Sequence, residues 1–354
     1  MSRFFSEKYK ALTPYTPGEQ PQDMQYVKLN TNESPFPPCE AAVAAAAEAA
    51  KKLQLYPDPD CRALTAKLAE IYGVSPAQVI VNNGSDETLN FAFMAYCDAN
   101  HPAVFPDITY GFYPVFAALN GVPYEEIPLK ADFTVDLPRF RGIGKTIFIA
   151  NPNAPTGIAL TPEEIESLLK TNPDNVVVID EAYVDFGAQS AVGLVGKYEN
   201  LLVVQTFSKS RSMAGARIGF GIGSPALIAD LNTIKYSTNP YNVNRMTMAA
   251  GLASLAHDEI NRQNCRTVAE NRAFTVAALR ELGFACTDSK ANFIFAKSDK
   301  IGGRALYQEL KKRGVLIRHF DKERIADYIR ITVGSRAQMG IFLARVREIL
   351  EEQV

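Results

Sequence analysis

The sequence predicts an α/β protein: a large body whose mostly parallel sheet is covered by helices on both faces, joined to a smaller α+β body. Three observations predict it. Short β-branched apolar runs alternate with helical patterns from Val79 to Ile222, and that alternation builds a parallel sheet. Polar residues follow directly on the ends of those runs, where open α/β sheets collect their functional groups. The chain has 354 residues, more than one hydrophobic core usually organises. The expected division is a larger cofactor-binding domain over 31–250 and a smaller domain from 1–30 with 251–354.

The elements follow in order. Cys39 to Leu53 is alanine-rich and helical. Val79-Ile80-Val81 is a strand, Asn82 to Glu87 a glycine turn, and Thr88 to Cys97 a helix. Thr146 to Ala150 is the next strand. Thr161-Pro162-Glu163-Glu164 then opens a helix with a cap, a proline in the first turn and a glutamate three positions on. Val176 to Ile179, Leu201 to Phe207 and Ala216 to Ile222 complete the larger sheet. A helical stretch from about Leu255 to Leu282 leads to strands at Asn292 to Ala296, Val315 to Phe320 and Ile329 to Val333.

The most informative segment runs from Thr206 to Gly219, where Lys209 sits among hydroxyl and glycine residues with Arg217 eight positions later. A lysine amine condenses with an aldehyde to form a Schiff base, and Ser208 and Arg217 offer a neutral and a charged donor to a phosphate. Read alone, Lys209 is more simply a solvated surface lysine. Upstream, the amides at Gly84, Ser85 and Asp86 open a helix, and free N–H groups at the positive end of a helix dipole bind anions. Ser85 or Asp86 could instead simply cap that helix. Asp180 ends a strand buried on both faces, where it can pair with a protonated pyridine nitrogen or cap the next helix.

These segments together carry a resemblance. Gly84-Ser85-Asp86-Glu87, Asn151-Pro152-Asn153-Ala154-Pro155-Thr156-Gly157, Asp180-Glu181-Ala182-Tyr183, Ser208-Lys209 with Arg217, and Arg330-Ile331-Thr332-Val333-Gly334 resemble the fold type I, pyridoxal-phosphate-dependent aminotransferases. Within them the chain is most similar to the histidinol-phosphate aminotransferases. The resemblance implies that Lys209 carries pyridoxal 5'-phosphate and moves the proton between substrate and cofactor. It implies Asp180 as the partner of the ring nitrogen and Tyr183 as donor to the phenolic oxygen. Gly84, Ser85, Asp86, Ser208 and Arg217 would form the phosphate cup, and Tyr110 would stack on the ring. Tyr56 would reach the cofactor of a neighbouring subunit, which makes a homodimer the expected assembly.

One position departs from the family pattern. The asparagine before Pro-Thr-Gly that would bond the phenolic oxygen is Ala154 here. Either Asn153 turns inward to replace it, or Tyr183 and a water serve that oxygen alone.

For the substrate, Arg318 and Arg330 lie in strand-like apolar runs, where an unpaired guanidinium is costly. Each is expected to face an anion, because a planar fork holds phosphate or carboxylate through two bonds; ion pairs with Asp or Glu are the alternative. Tyr15 and Asn32 join them as expected substrate-binding residues. The implied activity exchanges an amino group between histidinol phosphate and 2-oxoglutarate, giving imidazole-acetol phosphate and glutamate. An aromatic aminotransferase, a phosphothreonine decarboxylase of the same fold, and a cofactor-binding regulatory protein stay open.

Composition excludes other classes. A formal charge of −2 with interspersed signs offers nothing to nucleic acid or an anionic membrane surface. The five cysteines, Cys39, Cys61, Cys97, Cys265 and Cys286, contain no Cys-x-x-Cys pair; reduced thiols in a cytoplasmic protein are expected. Met1 to Lys10 reads as neither a signal peptide nor a membrane span. Three histidines without ligand spacing argue against a metal site and against a Ser-His hydrolase. Gly219-Phe220-Gly221-Ile222-Gly223 looks like a dinucleotide fingerprint, but its glycines lie inside a strand pattern and position 224 is serine.

Overall fold

The structure, a computed structural model, describes residues 2–352. In chain order the elements are β1 (Val27–Lys28), α1 (Glu40–Ala50), α2 (Arg62–Tyr72), β2 (Val79–Asn82), α3 (Ser85–Tyr96), β3 (Ala103–Pro106), α4 (Tyr113–Asn120), β4 (Tyr124–Ile127) and β5 (Thr146–Ala150). Then come α5 (Pro162–Lys170), β6 (Val177–Asp180), β7 (Leu201–Thr206), β8 (Gly219–Gly223), α6 (Pro225–Thr238), α7 (Arg245–Ala256) and α8 (Asp258–Glu281). The chain closes with β9 (Phe284–Cys286), β10 (Phe293–Ser298), α9 (Gly303–Lys312), β11 (Val315–Leu316), β12 (Arg318–His319), β13 (Tyr328–Thr332) and α10 (Arg336–Glu351).

Seven strands form the large sheet in the order β2-β8-β7-β6-β5-β3-β4. All run parallel except β8, which is antiparallel to both neighbours. β5, β6 and β7 are buried at every position, as expected of strands covered on both faces. Two apolar clusters fill those faces. One gathers Val81, Ile149, Ile179, Val203 and Phe220, and the other Ile80, Phe105, Phe148, Val178 and Val204. Side chains alternate across a pleat, so neighbouring strand residues fall into opposite clusters.

The sequence reading lacks β3 and β4. Ala103–Pro106 is only four residues long, ends in proline and carries no β-branched run; Tyr124–Ile127 is an edge strand holding two glutamates. The expected long helix also divides at His257, which leaves the helical region at φ −119°, ψ 38°. The start of α5 matches expectation: Thr161 and Glu164 form a reciprocal capping box with proline at the first turn.

A second sheet, β12-β13-β10-β9, is antiparallel throughout and packs with α8, α9 and α10 around Ile294, Leu310, Ile331 and Phe342. The N-terminal segment joins it: β1 lies parallel to β11, with Val27 opposite Val315, and the Leu29 carbonyl accepts from the Thr332 amide.

The glycines of β8 have a packing cause. A Cβ on Gly219 would lie 2.3 Å from the Ser85 amide nitrogen and 2.6 Å from the Gly84 carbonyl carbon, and one on Gly221 3.1 Å from Thr88 Cγ2. α3 and its entry turn therefore lie directly on β8. Gly219→Ala should destabilise the protein by about 1–3 kcal/mol in chemical denaturation. Gly215→Ala, with no heavy atom within 4 Å of its added methyl, should stay close to the parent; equal midpoints for the two variants would remove this packing role.

Candidate active site

Parallel strands deliver their carboxyl ends to one rim of the sheet. β2 ends before Gly84, β3 before Tyr110, β5 before the Asn151–Gly157 turn, β6 at Asp180 and β7 before Ser208 and Lys209. β8 runs the other way, so its beginning meets the same rim; Thr206 stands opposite Gly219 and brings Arg217 beside Ser208. The rim faces Tyr15 to Glu33 and the β12–β13 region across a cavity of about 520 Å³.

Lys209 lies in that cavity, with Nζ donating to the Thr31 carbonyl at 3.2 Å and standing 5.8 Å from the Tyr183 ring. Burial pushes its amine down to about 8, and the Arg330 charge acts in the same direction. Asp180 is 5% exposed. Its Oδ2 accepts from the Tyr113 hydroxyl at 3.1 Å and its Oδ1 from the Ala182 amide at 3.2 Å. Burial pushes its carboxyl up to about 7 against those donors.

Tyr183 sets its ring edge-on to Phe293, 5.1 Å between centroids. Its hydroxyl accepts from Asn32 Nδ2 at 3.0 Å, leaving its own proton free for the cavity. Asn32 is held in a left-handed conformation, φ 56°, by bonds from its backbone amide to Thr332 Oγ1 at 2.9 Å and from Asn292 to its carbonyl at 3.0 Å.

The expected phosphate cup assembles at the entry to α3. Gly84 occupies the cap position at φ 82° and no side chain caps the helix, so neither Ser85 nor Asp86 serves as a simple N-cap. Arg217 donates to Ser208 Oγ at 3.3 Å and to Asp86 Oδ2 at 3.1 Å. Tyr110 donates to Asp86 Oδ1 at 2.7 Å. A Cβ on Gly84 would fall 2.6 Å from Arg217 Nη2, so the turn is open only because that residue is glycine.

Arg330 and Arg318 point into the same cavity. Among the described residues neither pairs with a carboxylate. Arg330 donates to the Asn30 carbonyl at 3.0 Å, while its buried Nε has no partner. Arg318 reaches the carbonyls of Pro17 and Thr16 at 3.3 and 3.4 Å. Both guanidinium groups lie over the Phe320 ring, at 5.6 and 5.5 Å. Tyr15 stacks on Phe112 at 4.3 Å and lines the cavity. A buried guanidinium without an anion is expensive, which applies to Arg330; Arg318 is half-buried, and among the described residues neither makes the ion pair that the sequence left open.

Three expected residues do not line the cavity: Gly84, which shapes the turn beside it, Asn153 and Tyr56. Asn153 does not turn inward to replace the donor lost at Ala154. Its Nδ2 is taken by the Ile108 carbonyl at 2.9 Å and Thr156 Oγ1 at 3.0 Å, and its Oδ1 accepts from Thr109 at 2.8 Å. The amide is held by its own turn and by the loop after β3, and Ala154 lines the cavity instead. Tyr56 is 78% exposed and stacks on Tyr241 at 4.6 Å.

Tyr113, Phe320 and Lys322 escaped the sequence reading. Tyr113 offered one local signal, its spacing of three from Tyr110 at a helix start. Phe320 and Lys322 offered none beyond their nearness to Arg318.

The donor set fits an aldehyde that carries a phosphate: a desolvated lysine amine, an uncapped helix entry flanked by Ser208 and Arg217, and a carboxylate at the end of β6, the strand beside the lysine's own β7. Residues 24–346 match the family Aminotransferase class I and II. The chain is 46% identical to a histidinol-phosphate aminotransferase of Brachyspira hyodysenteriae over 353 residues, 99% of this chain and 100% of that one. It is 46% identical over 350 residues to histidinol-phosphate aminotransferase 1 of Bradyrhizobium diazoefficiens, again 99% and 100% of the two chains. In fold it is similar to the crystal structure of histidinol-phosphate aminotransferase from Sinorhizobium meliloti in complex with pyridoxal-5'-phosphate. That likeness has a TM-score of 0.91 at 24% identity and covers 100% of this chain and 99% of that one.

The lowered Lys209 value sets a pH dependence. The neutral, nucleophilic amine accumulates as pH rises through the folded value, so acylation of Lys209 by an amine-directed reagent should follow a midpoint near pH 8. Peptide mapping checks the site; a midpoint near the ordinary lysine value of about 10.4 would contradict the burial.

Proposed function

Because the chain belongs to the class I and II aminotransferases, we propose that it exchanges an amino group between L-histidinol phosphate and 2-oxoglutarate, giving imidazole-acetol phosphate and L-glutamate, with pyridoxal 5'-phosphate. The full-length relatives named for that reaction support the substrate pair. One observation carries the reading to this chain's own residues. A lysine amine held near neutrality shares a single cavity with Arg330 and Arg318, which pair with no carboxylate among the described residues.

Bound pyridoxal 5'-phosphate supplies an electron sink for the charge left at the substrate Cα when its proton departs. Lys209 would hold the cofactor and afterwards take and return that proton, a role suited to an amine whose value lies near the working pH. Asp180 would pair with the ring nitrogen. Tyr183 would donate to the phenolic oxygen, with its lone pair already engaged by Asn32; with Ala154 at the turn, no asparagine shares that task. Ser85, Asp86, Ser208 and Arg217 would receive the cofactor phosphate at the Gly84 turn, and Tyr110 would cover the ring. Arg330 and Arg318, with Tyr15, would bind the phosphate of one substrate and the carboxylates of the other in turn, which suits a ping-pong order.

The division into 31–250 and 1–30 with 251–354 is supported by the two sheets and by the pairing of β1 with β11. A homodimer is supported by the outward setting of Tyr56. Beside it, an apolar groove of about 470 Å³ between α1, α2 and α7 is lined by Ala49, Leu64, Met248 and Leu252, and Arg245 on its rim donates to the Tyr56 carbonyl at 2.7 Å. Among the described residues no helix is long and apolar enough to cross a membrane.

Borohydride reduction of the cofactor-supplied protein should attach pyridoxyl phosphate to Lys209 and leave Lys209→Ala at its bare mass; an adduct on the variant would move the attachment elsewhere. In assays at matched 2-oxoglutarate, histidinol phosphate should exceed phenylalanine and tyrosine in kcat/KM by at least about tenfold, roughly 1.4 kcal/mol. Preference for the aromatic substrates would make them the true donors, and carbon dioxide release from phosphothreonine without transfer would mark a decarboxylase.

If Tyr56 serves the neighbouring subunit, mixing inactive Lys209→Ala chains with Tyr56→Phe chains should yield hybrid dimers in which one site regains both side chains. Their turnover should exceed that of either variant alone. Verified heterodimers without such a gain would place Tyr56 outside the shared site.

A further inference from the structure

The buried polar group most closely joined to the site, and assigned no part in the reaction, is the Tyr113 hydroxyl. Tyr113 opens α4 and is 0% exposed. Its ring is enclosed by Tyr110 edge-on at 5.6 Å, Phe105 at 5.6 Å and Phe148 at 5.8 Å. Inside that aromatic box the hydroxyl has one hydrogen bond, to Asp180 Oδ2 at 3.1 Å. Burial and the carboxylate together push the phenol well above its ordinary value, so across the working pH range it keeps its proton and can donate it to Asp180.

Asp180 needs such a donor. Burial drives its carboxyl toward the neutral acid, and the Asp86 carboxylate acts in the same direction. Opposing them are the Tyr113 hydroxyl, the Ala182 amide and the Lys209 charge. Tyr110 and Tyr183 complete the ionisable groups around Asp180, and both have values raised by burial. The Ala182 amide is backbone, and the Lys209 charge comes and goes with the protonation of its amine. Tyr113 is then the one side-chain donor that remains constant.

We propose that Tyr113 is a positioning residue for the reaction, holding Asp180 ionised and fixing one carboxylate oxygen so that the remaining lone pairs face the cavity for a heterocyclic N–H. The inference rests on the reading of Asp180 as partner of a ring nitrogen, and it deepens that reading. The proton shared between carboxylate and heterocycle stays on the nitrogen only while the carboxylate is the weaker base. Withdrawing the phenol strengthens the base and draws the proton to Asp180.

The test begins on cofactor-free protein, so it does not depend on the cofactor reading. Carboxyl infrared titration of the parent minus Asp180→Asn isolates the Asp180 band, with a midpoint near pH 7. Tyr113→Phe keeps the ring and removes only the donor. Its Asp180 midpoint should rise by about one pH unit or more, the usual worth of a hydrogen bond to a charged group; an unmoved midpoint would overturn the proposal. Should Tyr113→Phe fail to fold, ultraviolet titration of Asp180→Asn against the parent decides. Loss of the carboxylate should let one buried tyrosine ionise at lower pH, and an unchanged phenol titration would count against the pair.

With pyridoxal 5'-phosphate labelled with nitrogen-15 at the ring, Tyr113→Phe should shift the ring resonance toward the unprotonated position. It should lower kcat more than it changes KM. A normal ring shift with normal kcat refutes the role. Failure of the parent protein to bind the labelled cofactor would instead refute the cofactor reading, and the cofactor-free titration would still decide on Tyr113.

Discussion

The structure depends on taking charge out of water at one place. Asp180, Lys209 and Arg330 share a cavity where burial disfavours every ionised form. It raises the carboxyl to about 7, lowers the amine to about 8 and lowers the guanidinium from its ordinary value. Acid and amine thus both lie close to neutrality, the carboxyl raised and the amine lowered by the same loss of solvent. The protein itself supplies few partners: two donors for Asp180, one carbonyl for Lys209 and one for Arg330.

Such a cavity needs rigid walls, and a second polar cluster lies close to the chain positions that build it. Glu181, next to Asp180, accepts from Ser190, Ala191 and Gln205, and Gln205 in turn accepts from Tyr72. Arg211, two residues past Lys209, stands 3.5 Å from Asp185, two residues past Tyr183, and 3.5 Å from Asp258 at the start of α8. One buried guanidinium thus touches the lysine loop, the tyrosine turn and the first helix of the smaller body. Arg211 is buried while Asp185 is partly open to solvent, so the contact with Asp258 is the more shielded of the two and ties the lysine loop to the start of α8.

The central strands were legible because a strand buried on both faces must be apolar along its length, and Ile147 to Ala150, Val177 to Ile179 and Leu201 to Val204 are so. The outer strands were not. β3 is short and ends in proline, and β4 exposes glutamates on a sheet edge, so neither carries the pattern. The glycine alternation of β8, legible as part of a strand and not as a nucleotide turn, has a steric cause, the close approach of α3. Asn153 shows the limit for side chains. The residue type suited the missing donor, but Ile108, Thr109 and Thr156 claim its amide.

By itself the sequence determined the chemical inventory: a lysine flanked by hydroxyls, a glycine turn before a helix, a carboxylate at a strand end and two arginines in apolar runs. These signals are local, set by backbone preference, capping and strand burial within a few residues. Tertiary structure decided which of them meet. Reversal of β8 puts Arg217 beside Ser208, the return of the N-terminal segment to β11 and β13 puts Asn32 against Tyr183 and Thr332, and α4 aims Tyr113 at Asp180. Pairing register and packing between segments as many as 300 residues apart are cooperative properties of the whole chain, and no short window of residues carries them.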